Sequence, residues 1–227
     1  MELIIAGRDY AMMQASSVCH SIFDVKKLKK DGSISGNCID EIIRILKAGE
    51  LFVLPVDSIY GIVGIKNERT FDEIQAITGE PRDNFETIIS NFKMLEETAY
   101  VDKFTYDFLK RVWPGEVIAQ LKSKACAYES NIFMRMPRHK YMHDIINGVG
   151  EPLLYVPDRI SEGKMFFNDR DIVRRFKNIC SMLIIDEFNK NHTFPTLIDI
   201  SCDRLDILCE GRVSSDEIKS LYFLGDL

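Results

Sequence analysis

No apolar run in this 227-residue chain approaches the roughly 20 residues that span a bilayer, so no membrane-crossing helix is expected. The opening residues MELIIAGRDY lack the basic region and the long apolar region of a secretory signal, and a cytoplasmic location is expected. None of the six cysteines (Cys19, Cys38, Cys126, Cys180, Cys202 and Cys209) forms a C-x-x-C pair. Scattered in this way they read as free, buried thiols rather than a disulfide frame. His139 and His143 are four residues apart and could share a helix face, but no third ligand lies close in sequence, so no metal site is expected. A basic excess is also missing. Lys plus Arg number 29 against 35 Asp plus Glu, the net charge is −6 and the pI is near 5.3. Bulk charge therefore weighs against a strong nucleic-acid binder. Repeats and low-complexity linkers are absent as well.

Local basic clusters partly counter that balance. Lys26, Lys27, Lys29 and Lys30 form one, and Arg170, Arg174 and Arg175 another; both read as solvated helix faces. The third, Arg135, Arg138, His139 and Lys140, differs because it continues directly from the strand-like segment NIFMRMP.

Helical and strand-like segments alternate along the chain. Residues 37–48 place Ile39, Ile42, Ile43 and Leu46 on one helical face, with Gly49 as a stop. Further helices are expected over 70–78, 105–112, 141–147 and 170–176, and a weak helical pattern over 10–30. Glu96 and Glu97 read as a solvated helix start. Strands are expected from Leu51 and over 3–5, 86–90, 117–121, 132–136, 153–156, 182–185 and 196–200. Residues 205–208 are expected to pair antiparallel with a neighbour. This alternation predicts an α/β (α+β) sheet protein.

The most informative segment is LFVLPVDSIYGIVG, residues 51–64. It reads as a buried strand that Pro55 stops or bends, since proline cannot donate to a sheet ladder. Asp57, Ser58 and Tyr60 then fall at the strand end, where open α/β sheets place ligands.

This segment resembles the PTDTVYGL signature of the YrdC/YciO family, relatives of threonylcarbamoyl-adenylate synthase. The resemblance continues, in the family's order, through GEPRDNFETIIS, VWPG, NIFMRMPRH, GEPLL, FPTLIDI and ILCEGRVS, from near Ser35 to near Ile218. The DNF segment and the Asp-Ser pair lean toward the YciO branch. The resemblance implies a twisted mixed sheet flanked by helices around a concave ligand site. Residues 35–227 would form this domain, after the turn cluster KDGSISGN, with residues 1–34 an extension packed on it or preceding it.

A synthase of this family must hold a nucleotide, threonine and bicarbonate together, with Mg accompanying ATP. Phosphates call for Lys, Arg or clustered backbone N–H groups, and a carboxylate for a bidentate Arg. The resemblance places Ser58 at the second threonine of the signature, beside Tyr60, and Asn84 at a polar contact. It places Arg135 at a substrate-carboxylate clamp and Thr196 at a retained hydroxyl. For Arg135 the alternative is a structural ion pair with Asp57, Asp199 or another acid. Other positions depart from the family. Thr78 and Glu80 stand where a Lys-x-Arg pair is expected, and Glu80 would repel a triphosphate. Val156-Pro157-Asp158-Arg159 replaces a Ser-Ala-Asn segment, Pro195 replaces a serine, and Cys209 replaces an arginine. Arg82, Arg138, Arg159 and Arg212 are the cations that could contact a nucleotide or RNA in their stead.

Three readings follow. The chain is a diverged member that binds RNA (tRNA or double-stranded RNA), a nucleotide or a small carboxylate without the parent reaction. Alternatively it is an active threonylcarbamoyl-AMP synthase with relocated arginines, serving tRNA modification. In the third reading bulky groups such as Tyr155 and Pro157 fill the cavity and leave an interaction surface.

Overall fold

The computed structural model describes residues 24–57, 59–125, 131–157, 169–186, 193–202 and 204–224. Within them lies one mixed sheet of eleven strands. The strands are β1 (Asp24–Lys27), β2 (Phe52–Val56), β3 (Ile59–Ile65), β4 (Glu86–Ile88), β5 (Ala99–Tyr100) and β6 (Val117–Ser123). They continue with β7 (Asn131–Arg135), β8 (Leu153–Pro157), β9 (Met182–Ile185), β10 (Thr196–Cys202) and β11 (Arg204–Cys209). The order across the sheet is β1-β9-β2-β3-β8-β4-β7-β6-β10-β11, with β5 also paired to β6. The helices are α1 (Gly36–Lys47), α2 (Glu68–Thr78), α3 (Phe92–Thr98), α4 (Lys103–Val112), α5 (Lys140–Val149), α6 (Asp169–Phe176) and α7 (Ser215–Phe223).

Alternation of side chains across the sheet divides the core. Phe52 and Leu54 of β2 join the larger cluster with Ile42 and Leu46 of α1 and Ile145 and Ile146 of α5. Their neighbour Val53 joins the second cluster with Phe71 and Ile74 of α2 and Ile172 and Phe176 of α6. Every residue of β2 is buried, as befits a strand covered on both faces. On β6, β7 and β10 the pattern changes. Gln120, Phe133, Leu197 and Asp199 are half-buried and Lys122 and Asn131 exposed, while the alternate residues Ala119, Leu121, Ile132, Met134 and Ile198 are buried. On that face Ile118 and Arg135 are nevertheless buried, so this half of the sheet is only partly uncovered, around Gln120, Lys122, Asn131 and Phe133.

Several expectations are corrected. Residues 51–64 form a hairpin, β2 and β3, rather than one strand and a turn. Pro55 lies inside β2, paired with Tyr60, because β9 pairs with β2 only at Phe52 and Val53 and leaves no ladder bond for the missing N–H. Residues 24–27 form edge strand β1, parallel to β9, instead of continuing a helix, so this part of the 1–34 extension belongs to the sheet. The strand expected over 3–5 lies outside the described residues. Glu96 and Glu97 are exposed but sit late in α3, which Asn91 caps by accepting from the Met94 amide. Cys38 and Cys180 are buried, and burial pushes the Cys180 thiol up to about 12. Cys202 and Cys209 are exposed at the ends of the outer β10–β11 hairpin. No helix among the described residues is long and apolar enough to cross a membrane.

Gly61 in β3 marks a close approach. A Cβ there would stand 2.3 Å from the Tyr155 ring and 2.7 Å from the Val156 carbonyl oxygen. Both neighbours belong to a buried strand and have little room to move. Gly61→Ala is expected to destabilise the fold by about 1–3 kcal/mol or more, read by denaturant unfolding through the fluorescence of buried Trp113.

Candidate functional site

The β2–β3 turn is two residues long, since Val56 pairs with Ile59. Asp57 takes a left-handed conformation, φ 47°, which aspartate tolerates better than most residues. The bend points its carboxylate inward. Oδ2 accepts from Arg135 Nη1 at 2.9 Å, and Oδ1 lies 3.5 Å from His139 Nε2. Ser58 lies outside the described residues.

Arg135 ends β7 and is 1% exposed. Its Nη2 stands 3.0 Å from Glu86 Oε2. Glu86 opens β4 opposite Phe133 of β7 and Tyr155 of β8, and Ile88 faces Arg135, so these side chains share one face of the sheet. Burial works to lower the Arg135 pKa, but Glu86 and Asp57 outweigh it and hold the guanidinium above its ordinary value. The Tyr155 ring lies 5.4 Å from the guanidinium, and its hydroxyl donates to the Ile59 carbonyl at 2.6 Å. Tyr141 donates to the Pro55 carbonyl at 2.8 Å and stacks on His139 at 5.2 Å. Burial raises both phenols well above their usual value. Arg135 thus meets carboxylates that belong to the protein. A ligand carboxylate would have to compete with Asp57 or Glu86, so Arg135 makes the structural ion pair with Asp57 that stood as the alternative to a substrate clamp.

The corner expected to receive a triphosphate is closed on itself. Arg82 Nη1 bonds Glu68 Oε2 at 2.6 Å, Nη2 bonds Asp72, and the guanidinium lies over Phe71. Asn84 Nδ2 donates to Glu80 Oε2 at 2.8 Å. The Thr78 hydroxyl donates to the Ile74 carbonyl and accepts the Glu80 amide.

Thr196 is fully buried at the start of β10. Its hydroxyl donates to the Val213 carbonyl at 2.5 Å and accepts the amides of Gly211 at 3.0 Å and Val213 at 3.1 Å. One proton and two lone pairs are the whole capacity of a hydroxyl, so Thr196 has none left for a ligand. Arg212 Nε contacts Glu116 Oε2 at 2.5 Å. Tyr60 lies on the opposite face of the sheet from Arg135, packed on the second core cluster, and its hydroxyl accepts the Asp186 amide at 2.9 Å. Arg138 is exposed beside His139. Arg159 lies outside the described residues. Among the described residues no cluster of three or more His, Cys, Asp or Glu could hold a metal ion.

The structure therefore gathers Asp57, Arg135 and His139 and adds Glu86, Tyr141 and Tyr155. It sets Tyr60, Arg82, Thr196 and Arg212 in other contacts. Glu86 was not nominated by the sequence. Its signal was an acid at the head of an apolar strand, complementary to an arginine at the end of another. Arg135→Met leaves two buried carboxyl groups without their cation and is expected to cost about 3–5 kcal/mol in urea unfolding. The triple variant Arg135→Met, Glu86→Leu, Asp57→Asn is expected to recover much of that loss.

A family model for Sua5, YciO and YrdC, described as telomere recombination, matches residues 44–211. A Haemophilus influenzae protein, named only as uncharacterized, is 27% identical over 125 residues, 51% of this chain and 60% of that protein. Among solved structures, E. coli YciO aligns with a TM-score of 0.73 at 21% identity, covering 87% of this chain and 98% of that one. P. abyssi Sua5 complexed with L-threonine aligns with a TM-score of 0.76 at 20% identity, covering 88% of this chain and 61% of Sua5. This chain thus spans about three fifths of the Haemophilus protein and of Sua5, and at such identities the structural likeness speaks for the fold alone. With the family model matching most of its length, the chain belongs to the Sua5/YciO/YrdC family.

Proposed function

We propose that this chain is a ligand-binding member of its family. It takes RNA (tRNA or a duplex), a nucleotide or a small carboxylate on the partly uncovered sheet face beside Asp57, Arg138 and His139. It does not run the parent synthesis of threonylcarbamoyl-AMP from ATP, threonine and bicarbonate. The observation that carries this reading is the clamp on Arg82. The arginine nearest the missing Lys-x-Arg pair is held by Glu68 and Asp72 on α2, while Glu80 brings a carboxylate to the same corner. A triphosphate entering there would meet an acid and would have to break two ion pairs to recruit a cation. Arg212, paired with Glu116, is withdrawn in the same way.

Two features support retained binding. The sheet face carrying Gln120, Phe133 and Leu197 stays partly uncovered, although the Tyr155 ring occupies the space above Gly61. Arg138 stands exposed next to the Asp57–His139 contact, where an anion or an RNA phosphate can reach it.

Pyrophosphate release from ATP, with threonine and bicarbonate present and then each omitted, is expected to stay at background. Release that needs both would establish the synthase with relocated arginines, and Arg82→Ala would then be expected to abolish it. Titrations with tRNA, duplex RNA, nucleotides and small carboxylates are expected to find a ligand whose affinity falls several-fold in Arg138→Ala. For RNA, affinity is expected to fall with rising salt. A folded protein that binds none of these would leave the interaction-surface reading.

A further inference from the structure

At the other end of β6 the sheet forks. β10 pairs with β6 over residues 117–120, and β5 pairs with it at Lys122 and Ser123. Around the fork lies a cavity of about 700 Å³. Pockets of this size accommodate small ligands of nucleotide dimensions. Phe104, Ile200 and Tyr222 supply apolar lining, and charged groups stand among the other lining residues. This place is separate from the Arg135 cluster. Lys122 faces Asn131, the first residue of β7, whereas Arg135 is the last, and four strand steps cover roughly 13 Å.

Three side chains give the fork its chemistry. Tyr100 leaves 63% of its surface in water, unusual for an aromatic residue on a strand. Its cross-strand partner is Lys122, so both project from the same face, and Lys124 follows two residues on. Lys124 Nζ lies 5.4 Å from the Tyr100 ring centroid and donates to the Glu96 carbonyl. That bond positions the ammonium and uses one of its three donors. Asp102, also in the lining, accepts the Thr105 amide at 2.7 Å, and this bond holds its carboxyl below the usual range. The cavity is thus lined by two ammonium groups beside an exposed ring and by the Asp102 carboxylate.

We propose that the fork binds a nucleoside monophosphate unit, with its base on Tyr100, its phosphate at Lys122 and Lys124, and its sugar hydroxyls toward Asp102. A carboxylate repels phosphate and accepts from hydroxyls, so the charge pattern admits one orientation. Stacking on a tyrosine tolerates any base, which suits recognition without a sequence code. The same unit comes from a free nucleotide or from an unpaired residue of single-stranded RNA. This second site stands whether or not the face beside Arg138 binds a ligand.

The test uses the full chain. Calorimetry with AMP and fluorescence anisotropy with a labelled single-stranded oligoribonucleotide are run on wild type, Tyr100→Ala, Tyr100→Phe, the double variant Lys122→Gln, Lys124→Gln, and Arg138→Ala. Tyr100→Ala is expected to weaken binding about tenfold, and Tyr100→Phe to keep it. The double variant is expected to bind more weakly and with a flatter salt dependence. Binding of AMP alone identifies a free nucleotide as the source, and binding of the oligomer alone identifies a strand. Thermal unfolding of each variant confirms that it is folded; Tyr100, Lys122 and Lys124 are all exposed, so the core is untouched. The proposal is overturned if wild type binds neither probe, or if Tyr100→Ala and the lysine variant both bind as wild type does. It also falls if only Arg138→Ala reduces binding, which would leave the ligand beside Arg138 and the proposed function intact.

Discussion

One buried cation holds the site end of this protein together. Arg135 reaches from β7 to Glu86 on β4 and to Asp57 in the β2–β3 turn, joining parts of the sheet that β8 and β3 otherwise separate. Removing a guanidinium and two carboxyl groups from water costs several kcal/mol for each ion, and their mutual attraction roughly offsets that cost. A well-packed apolar set of similar volume could match the stability. It could not supply direction. The ionic contacts fix which way the Asp57 carboxylate points, and that direction matches a backbone held at φ 47°.

The turn is fixed from both sides as well. Its flanking carbonyls, Pro55 before and Ile59 after, each accept from a buried tyrosine, Tyr141 of α5 and Tyr155 of β8. A helix and a strand distant in sequence thus close on the same five-residue stretch. Gly61 belongs to this arrangement, because the Tyr155 ring reaches Ile59 across the space its absent side chain leaves open. His139 completes the enclosure by stacking on Tyr141 while facing Asp57. The rigidity of this end comes from groups paired with one another, although the buried Arg135 Nε has no hydrogen-bond partner among the described residues.

The same reasoning explains what the sequence disclosed. Apolar periodicity located α1, α2 and α5 and most strands to within a few residues, since those patterns record which face meets the core. Family motifs in order pointed to the fold. The β2–β3 hairpin stayed hidden because its turn, Asp57-Ser58, lacks glycine, and because Pro55 reads as a strand breaker unless the missing β9 neighbour is known. Residue identity named Arg135, Thr196, Arg82 and Arg212 as candidates but could not say where their hydrogen bonds go. For Thr196 the answer lies in the loop at residues 211–213, and for Arg82 in two acids on the preceding helix. Such partners are set by three-dimensional proximity, and no spacing rule in one sequence encodes them.

The two ends of β6 and β7 differ in how their polar groups are used. At the Arg135 end, charge is buried and met by other protein groups, and a ligand gains only from what stays exposed, such as Arg138. At the fork, Lys122 and Lys124 stand in water, where an ammonium costs little to keep, and Lys124 commits one donor to the Glu96 carbonyl. Charge inversion at Glu80 fits this division. The Glu80 carboxylate accepts from Asn84 within this loop while making that corner less hospitable to anions. For a chain with a net charge of −6, recognition of an anion would require exposed cations to be concentrated locally. The partly uncovered sheet face and the fork are where this chain can do so without dismantling the contacts that fix the Asp57 turn.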